Sequence, residues 1–473
     1  MGLPVDKNMR VMVRRFSSKR KLLPPRGTVD LFGKVCRERR AILDSAVKVA
    51  HAYGFEEVQT PTFESTGVFS RSLGETSDVI SKEMFTWTDQ AGRSLSLRPE
   101  NTASIARALV SSGKCYEAGP HRLYYSGSMF RHERPQKGRQ REFSQFGVEL
   151  VGAKSAAEEV DVISMAYNFL DALTLVDDDT SLLVNTLGDE ESRTAYRTVL
   201  MDYFESVKSG LSKDSVARLE RGSVLRILDS KAAEDQSLIK DAPDFLAHLS
   251  DASKDHFDRV LSGLNALEID YTIDPRLVRG LDYYSHTVFE FIRDPGTQDG
   301  SGKPVGQVGT LLAGGRYDTL LEKVGGGPTL PAIGWAAGIE RLHLFLENSQ
   351  FFENVNRDAT CPSRKVLVLP IVRDGDDGTM IANEVLKLAR RIRLEGSNVV
   401  GATGAKSVHV QIGNGTKKLA KEMKRANRDG FGYVILLGQT ELETGLATVK
   451  DMSLGTQSQV SLSADAFLLP FTN

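Results

Sequence analysis

The sequence predicts an α+β chain of at least two domains, a larger one built on an antiparallel sheet with a helical insertion, then a smaller α/β domain. Three observations carry that expectation. Strand-like runs separated by polar or glycine-containing turns recur between Phe55 and Ile292, a spacing that suits antiparallel neighbours. Residues 189–265 are almost purely helical in pattern and highly charged. Beyond residue 365, continuous apolar runs alternate with amphipathic stretches, as buried strands alternate with helices. A chain of 473 residues also exceeds what one core supports, since single cores stop growing at roughly 250–300 residues.

Taken in order, residues 1–20 differ in kind from the rest. Lys7, Arg10, Arg14, Arg15, Lys19 and Arg20 face a single acid, Asp6. Such a stretch reads as a mitochondrial leader or as a disordered basic arm on a cytoplasmic protein, and both readings stay open. From Leu31 to Tyr53 the apolar positions Ile42, Ala46, Val49 and Ala50 recur at helical spacing, with Gly54 where a C-terminal cap belongs. Residues Phe55 to Thr60 then read as a strand closed by Pro61, which lacks a backbone donor.

Further strands are expected at Ser94 to Leu97, Arg122 to Phe130, Ser144 to Leu150 and Thr287 to Ile292. The first domain thus spans residues 21–348, interrupted by the helical insertion at about 189–265. Residues 349–364, polar and holding Asn354, Asn356 and Pro362, suit a linker. In the domain at 365–473, Val366 to Leu369 and Tyr433 to Leu437 are apolar runs, and Ile381 to Leu394 is an amphipathic helix.

Composition excludes little. With 40% hydrophobic residues, 26% charged residues and a net charge of −2, the chain is an average globular one. No global charge marks a nucleic-acid partner, so any basic surface must be local. Cys36, Cys115 and Cys361 fit neither a disulfide framework nor paired zinc-site spacing, and a reducing compartment is the simpler reading. No apolar run approaches bilayer length, so no membrane association is expected.

The densest chemical signal is Met129 to Phe143 (MFRHERPQKGRQREF), where four arginines and a lysine crowd one predicted hairpin loop. Planar guanidinium groups present forked donors that match phosphate oxygens and stay charged at any working pH, so the loop suits a polyphosphate. Composition alone would favour a solvated hairpin tip.

Residues Phe130 to Gln145 resemble the second signature motif of class II aminoacyl-tRNA synthetases, in the version of the bacterial and mitochondrial histidine enzymes. Leu97 to Thr102 (LRPENT), Leu277 to Tyr284 (LVRGLDYY), Ala313 to Asp318 (AGGRYD) and Gly334 to Leu342 (GWAAGIERL) resemble that family's remaining signatures in the expected order. The last is similar to the third class II motif. The resemblance extends from Leu23 to about Asn473.

It implies activation of histidine by ATP and esterification of tRNA(His) in a class II catalytic domain followed by an anticodon-binding domain. By resemblance Arg131 holds the α-phosphate, Arg139 and Arg341 reach the terminal phosphates, and Phe143 stacks on adenine. Arg279 faces the α-phosphate and the substrate carboxylate, where a preorganised charge does the polarising that a metal might otherwise do. Mg²⁺ is expected to be held mainly by the ATP phosphates, and no protein ligand is assigned to it.

Neutral imidazole offers one donor and one acceptor nitrogen, and Glu149 with Tyr284 resemble the family's matching pair. Glu100, Thr102 and Gln145 match positions that take the substrate ammonium, and Tyr283 and Tyr317 line the same pocket. Gln136 falls where acceptor-end tRNA contacts occur. Lys417, Lys421, Lys424 and Arg428, with Lys418 and Arg425 beside them, form a basic helical face that suits tRNA phosphates. A homodimer is implied, with the segment around Pro61 in its interface. Two positions depart from the pattern: Asn101 stands where many relatives carry glycine, and Ser144 where many carry histidine or tyrosine. His286 reads as a structural strand histidine. The rival reading is a silent synthetase paralogue such as the regulatory subunit of ATP phosphoribosyltransferase. Such paralogues generally lose the terminal domain and the substrate-binding arginines, which this chain keeps.

Overall fold

The computed structural model describes residues 22–73, 79–228, 230, 232–278, 281, 283–293, 309–360, 365–395, 408–413 and 419–463. The chain forms two compact units, Met1–Phe352 and Glu353–Asn473. The basic stretch at residues 1–20, Arg279, Cys361, Lys417 and Lys418 lie outside the described residues.

The first unit is organised by an eight-stranded sheet. Its strands are β1 (Glu56–Glu57), β5 (His121–Phe130), β6 (Glu142–Val151), β7 (Thr180–Thr186), β8 (Thr272–Ile273), β9 (Ser285–Arg293), β10 (Thr310–Tyr317) and β11 (Ala332–Gly338), in the order β1-β5-β6-β11-β10-β9-β7-β8. The six inner strands pair antiparallel, whereas β1 pairs parallel with β5, and β8 with β7. A small antiparallel sheet holds β2 (Phe63–Ser65), β3 (Thr86–Thr88) and β4 (Ser94–Leu97). Strand side chains alternate between faces, and that alternation sorts the sheet. On β6, Phe146, Val148 and Leu150 join a core with the helices Lys34–Ala52, Ala156–Ala172 and Asp251–Ala266. Trp335 of β11 enters the same layer, its ring stacked on Phe169 at 5.8 Å. Gln145, Gly147 and Glu149 therefore face the other way, toward the helices Thr66–Leu73, Thr102–Ser112 and Leu320–Gly325.

Helix Lys34–Ala52 buries Glu38, Ile42, Ala46 and Ala50, four residues apart. It ends in a Schellman motif: Gly54 takes a φ of 73°, its N–H donates to His51, and the Phe55 N–H donates to Ala50. The segment expected as a strand from Phe55 to Thr60 pairs regularly only at Glu56–Glu57, and in parallel rather than antiparallel sense. After Val58 donates to Tyr124 the chain heads for Pro61, which cannot extend a ladder.

Between β7 and β8 run the helices Glu190–Ser206, Lys213–Glu220, Ala233–Lys240 and Asp251–Ala266. The first three pack with the segments between them around a core that includes Tyr196, Leu200, Phe204, Leu219, Ile227 and Ile239. The fourth packs elsewhere: its Phe257, Val260 and Leu264 join the core of the large sheet. The expected linker is also partly structured. Gln350–Thr360 is helical, with Phe352 buried in the first unit's core and Phe351 packed beside it; apolar anchoring outweighs the polar composition.

In the second unit, β13 (His409–Ile412), β12 (Lys365–Ile371) and β14 (Tyr433–Gly438) pair parallel, and β15 (Leu446–Asp451) and β16 (Gln457–Ser461) continue antiparallel, in the order β13-β12-β14-β15-β16. Helix Gly378–Glu395 packs Val385, Leu388, Ala389 and Ile392 against this sheet. Among the described residues no helix is long and apolar enough to cross a membrane.

Candidate active site

One cavity opens on the site-facing side of the large sheet, with about 1020 Å³ of unfilled space including its mouth. Its floor is roomy because β6 and β11 place small residues there: Gly147 faces Ala336, and Gly334 leaves space opposite Glu149. A Cβ on Gly334 would collide with the Glu149 carboxylate, and one on Gly147 would sit 2.5 Å from the Tyr125 ring.

At the inner end Glu149 is 2% exposed. Thr102 Oγ1 donates to its Oε1 at 2.6 Å, and the Tyr317 hydroxyl donates to its Oε2 at 2.5 Å. Burial raises the Glu149 carboxyl from 4.5 to about 8, against the pull of those two donors. Glu100, also buried, accepts the Thr102 and Ala103 N–H groups at 2.7 and 3.0 Å and so satisfies orphan donors in the first turn of helix Thr102–Ser112; burial raises its pKa as well. Tyr283 stacks obliquely on Tyr284, centroids 4.5 Å apart, and meets Tyr317 edge-on at 5.6 Å. Gln145 lines the cavity, and its Oε1 is buried with no hydrogen-bond partner among the described residues.

The outer end is cationic. Arg131 Nε donates to the Pro99 carbonyl at 2.9 Å, and its guanidinium lies 5.4 Å from the Phe143 ring centroid. Arg131 and Arg139 approach opposite oxygens of Glu133 at 3.9 and 3.4 Å. Their loop closes through the reciprocal Gln136 and Arg139 backbone bonds, with Gly138 at a φ of 74°. Arg341 reaches the Thr310 carbonyl at 3.4 Å. Burial first, then the neighbouring charge of Arg139, pushes its pKa down to about 10, so it stays charged at neutral pH.

Residues 27–342 match the family model described as Histidyl-tRNA synthetase. The chain belongs to the histidyl-tRNA synthetase family. Residues 365–468 match a model described as Anticodon binding domain. The histidine–tRNA ligase of Rhodospirillum rubrum is 44% identical over 452 residues, covering 95% of this chain and 99% of that protein. That of Gluconobacter oxydans is 42% identical, covering 95% and 98%. The apo histidyl-tRNA synthetase structure from S. aureus superposes with a TM-score of 0.74 at 30% identity, covering 96% of this chain and all of that one. A Bacillus halodurans structure, described as an ATP phosphoribosyltransferase regulatory subunit/histidyl-tRNA synthetase, is similar at a TM-score of 0.57 and 23% identity. That likeness speaks to the fold alone.

Within this histidyl-tRNA synthetase family fold, Glu100, Thr102, Arg131, Arg139, Phe143, Gln145, Glu149, Tyr283, Tyr284, Tyr317 and Arg341 all line the one cavity. Gln136 sits on the loop but not in the cavity wall. Lys421, Lys424 and Arg428 are exposed on helix Leu419–Arg428 of the second unit, where Arg428 pairs with Asp429 at 2.9 Å. Asn101 has a local reason to differ from glycine: its Oδ1 accepts from Thr60 Oγ1 and from Arg98, at 2.7 and 3.2 Å.

Sequence reasoning missed Tyr125, Glu133, Gln140, Leu281 and Glu340, which line the cavity too. Tyr125 was detectable, because it shares the phase of Glu149 once β5 and β6 are registered and lies opposite Gly147. No local signal marked Glu340.

Proposed function

We propose that this cavity condenses histidine with ATP to histidyl-adenylate and pyrophosphate, and that the histidyl group then passes to the 3′ end of tRNA(His). The observation that carries the reading is that a buried carboxylate slot and a group of arginines share one cavity. In the slot, Glu149 accepts the imidazole N–H and the Tyr284 hydroxyl meets the other nitrogen. The ammonium lies against Gln145 Oε1, the Thr102 hydroxyl and Glu100, whose oxygens keep a lone pair beyond their backbone bonds. The histidine carboxylate attacks the α-phosphorus; the bond to the bridging oxygen breaks, and pyrophosphate leaves. Charge developing there meets Arg131 and, by family resemblance, Arg279, while Arg139 and Arg341 hold the terminal phosphates and Phe143 the adenine. A tRNA 3′-terminal hydroxyl then attacks the activated carbonyl and AMP leaves.

ATP enters as its magnesium complex. The ion is taken to be held mainly by the ATP phosphates, and no protein ligand is assigned to it. Lys421, Lys424 and Arg428 offer phosphate contacts to tRNA, joined by Lys417 and by Gln136 at the acceptor end. The deciding measurement is pyrophosphate exchange across all amino acids. Exchange dependent on histidine is expected, and exchange with another amino acid, or with none, would sink the reading.

We further infer a homodimer that covers the segment around Pro61, where Phe63 and Trp87 are 52% and 41% exposed with rings 6.0 Å apart. The basic stretch at residues 1–20 favours import into the mitochondrial matrix, with cytoplasmic residence the alternative. Native mass spectrometry of the protein from its cells addresses both proposals. A monomer would refute the first, and an intact N-terminus the second.

A further inference from the structure

Helix Lys34–Ala52 packs beside helix Ile339–Phe345, which carries Arg341. Two polar contacts join them. His343 Nε2 lies 3.0 Å from Glu38 Oε2, and Arg39 Nη2 lies 2.8 Å from Glu340 Oε1. The second pair reaches further than the two helices. The same Arg39 nitrogen donates to Ser144 Oγ at 2.7 Å, and both Glu340 oxygens lie 3.0 Å from the Ser144 N–H they accept. Ser144 sits on β6 between Phe143 and Gln145, and Gln145 is paired with Gly338 where β11 ends and Arg341's helix begins. Arg39, Glu340 and Ser144 thus pin that helix to the strand carrying the aromatic wall of the cavity.

This matters because Arg341, though near the charges of Glu133 and Glu290, makes few direct bonds that fix its direction. Its one hydrogen bond to the protein among the described residues is the 3.4 Å contact with the Thr310 carbonyl, so its direction follows its short helix. The pin is shielded, with Arg39 and Glu340 side chains 16% and 9% exposed. Charge-assisted bonds in such a setting are directional and shorter than neutral ones.

We propose that Arg39 is a positioning residue of the ATP subsite, setting through Glu340 and Ser144 the angle at which Arg341 meets the terminal phosphates. The inference rests on the reading of Arg341 as a phosphate ligand. Ser144, where this chain departs from the family pattern, supplies the small hydroxyl that Arg39 engages.

The test is pyrophosphate exchange with Arg39→Met, Arg39→Lys, Arg341→Ala and the double variant Arg39→Met/Arg341→Ala. Coupling between neighbouring groups of this kind supports an ATP KM raised roughly three- to tenfold in Arg39→Met, with histidine KM within about twofold. Arg39→Lys should recover part of the loss, and the double variant should be no worse for ATP than Arg341→Ala. Arg39→Met leaves Glu340 without its cation and can fail to fold. Ser144→Ala then reads the same pin, with ATP KM expected to rise about twofold, in keeping with one lost hydrogen bond.

Equal rises in both KM values would mean general damage and overturn the proposal. So would additive losses in the double variant, or an unmoved ATP KM in both Arg39→Met and Ser144→Ala while Arg341→Ala raises it. An Arg341→Ala enzyme with unchanged ATP KM would instead remove the subsite reading on which the proposal stands.

Discussion

The two ends of the cavity are built on opposite plans. At the inner end the Glu149 carboxylate is buried, and each of its oxygens receives a short bond from a buried hydroxyl. At the outer end Arg131 and Arg139 have side chains 25% and 44% exposed and approach Glu133 only at 3.9 and 3.4 Å. A satisfied buried group is directional and costly to leave unpaired, so it can reject a wrong partner. Exposed ion pairs contribute roughly 0–1 kcal/mol, so incoming phosphates displace them at little cost. On the proposed function, the inner end selects and the outer end supplies charge.

The largest effect should therefore fall at the outer end and appear in turnover. Arg131 has its Nε held by the Pro99 carbonyl, while its Nη1 approaches Glu133 only at 3.9 Å, a contact that charge developing at phosphorus can displace. Replacement by alanine should lower kcat for pyrophosphate exchange by roughly 10²–10³, the usual loss for one preorganised electrostatic group, with the histidine KM little changed. A variant that loses histidine affinity instead would erase the division between the ends.

That division was unevenly legible in the sequence. The arginine loop stands out by composition, although composition alone favours a solvated tip and motif resemblance selected it; the strands Arg122 to Phe130 and Ser144 to Leu150 were legible as runs between polar turns. Glu149 did not announce itself: a single strand glutamate is ordinary until β11 and helix Thr102–Ser112 close over it, and only motif resemblance selected it. Arg39 gave no signal, since its partners Ser144 and Glu340 lie 105 residues and some 300 residues along the chain. The short parallel β1 and the helical Gln350–Thr360 were misread for a related reason: pairing partners and apolar anchoring decide them, not local composition.

At the inner end the expected loss is smaller and appears as affinity. Glu149→Gln keeps the shape but replaces a group accepting two bonds with one that must also place an NH₂ there. A buried polar group left without its partner costs about 1–3 kcal/mol, so histidine KM should rise roughly five- to a hundredfold while ATP KM holds within about threefold. Histidine KM unchanged in this variant would mean that the imidazole lies elsewhere in the cavity.

The smallest effect sharpens the comparison without substrate. Burial raises the Glu149 carboxyl from 4.5 to about 8, so across that interval the folded protein holds a proton that the unfolded chain has shed. Stability is then greatest at low pH and falls as pH rises toward 8, levelling off above it. Glu100 is shifted in the same direction. His286, its pKa lowered by burial, acts in the opposite sense, but its effect is nearly complete about one unit above pH 6.5, where the unfolded imidazole has lost most of its charge. Between pH 7 and 8.5 the carboxyl should cost about 1 kcal/mol, a fall in thermal midpoint of about 2 °C. Glu149→Gln should flatten that slope, since the amide does not titrate. Arg131→Ala should not flatten the slope, because the Arg131 charge holds the Glu100 carboxyl down and its loss can only steepen the fall. A slope that survives in Glu149→Gln and disappears in Arg131→Ala would place the titrating group at the wrong end of the cavity.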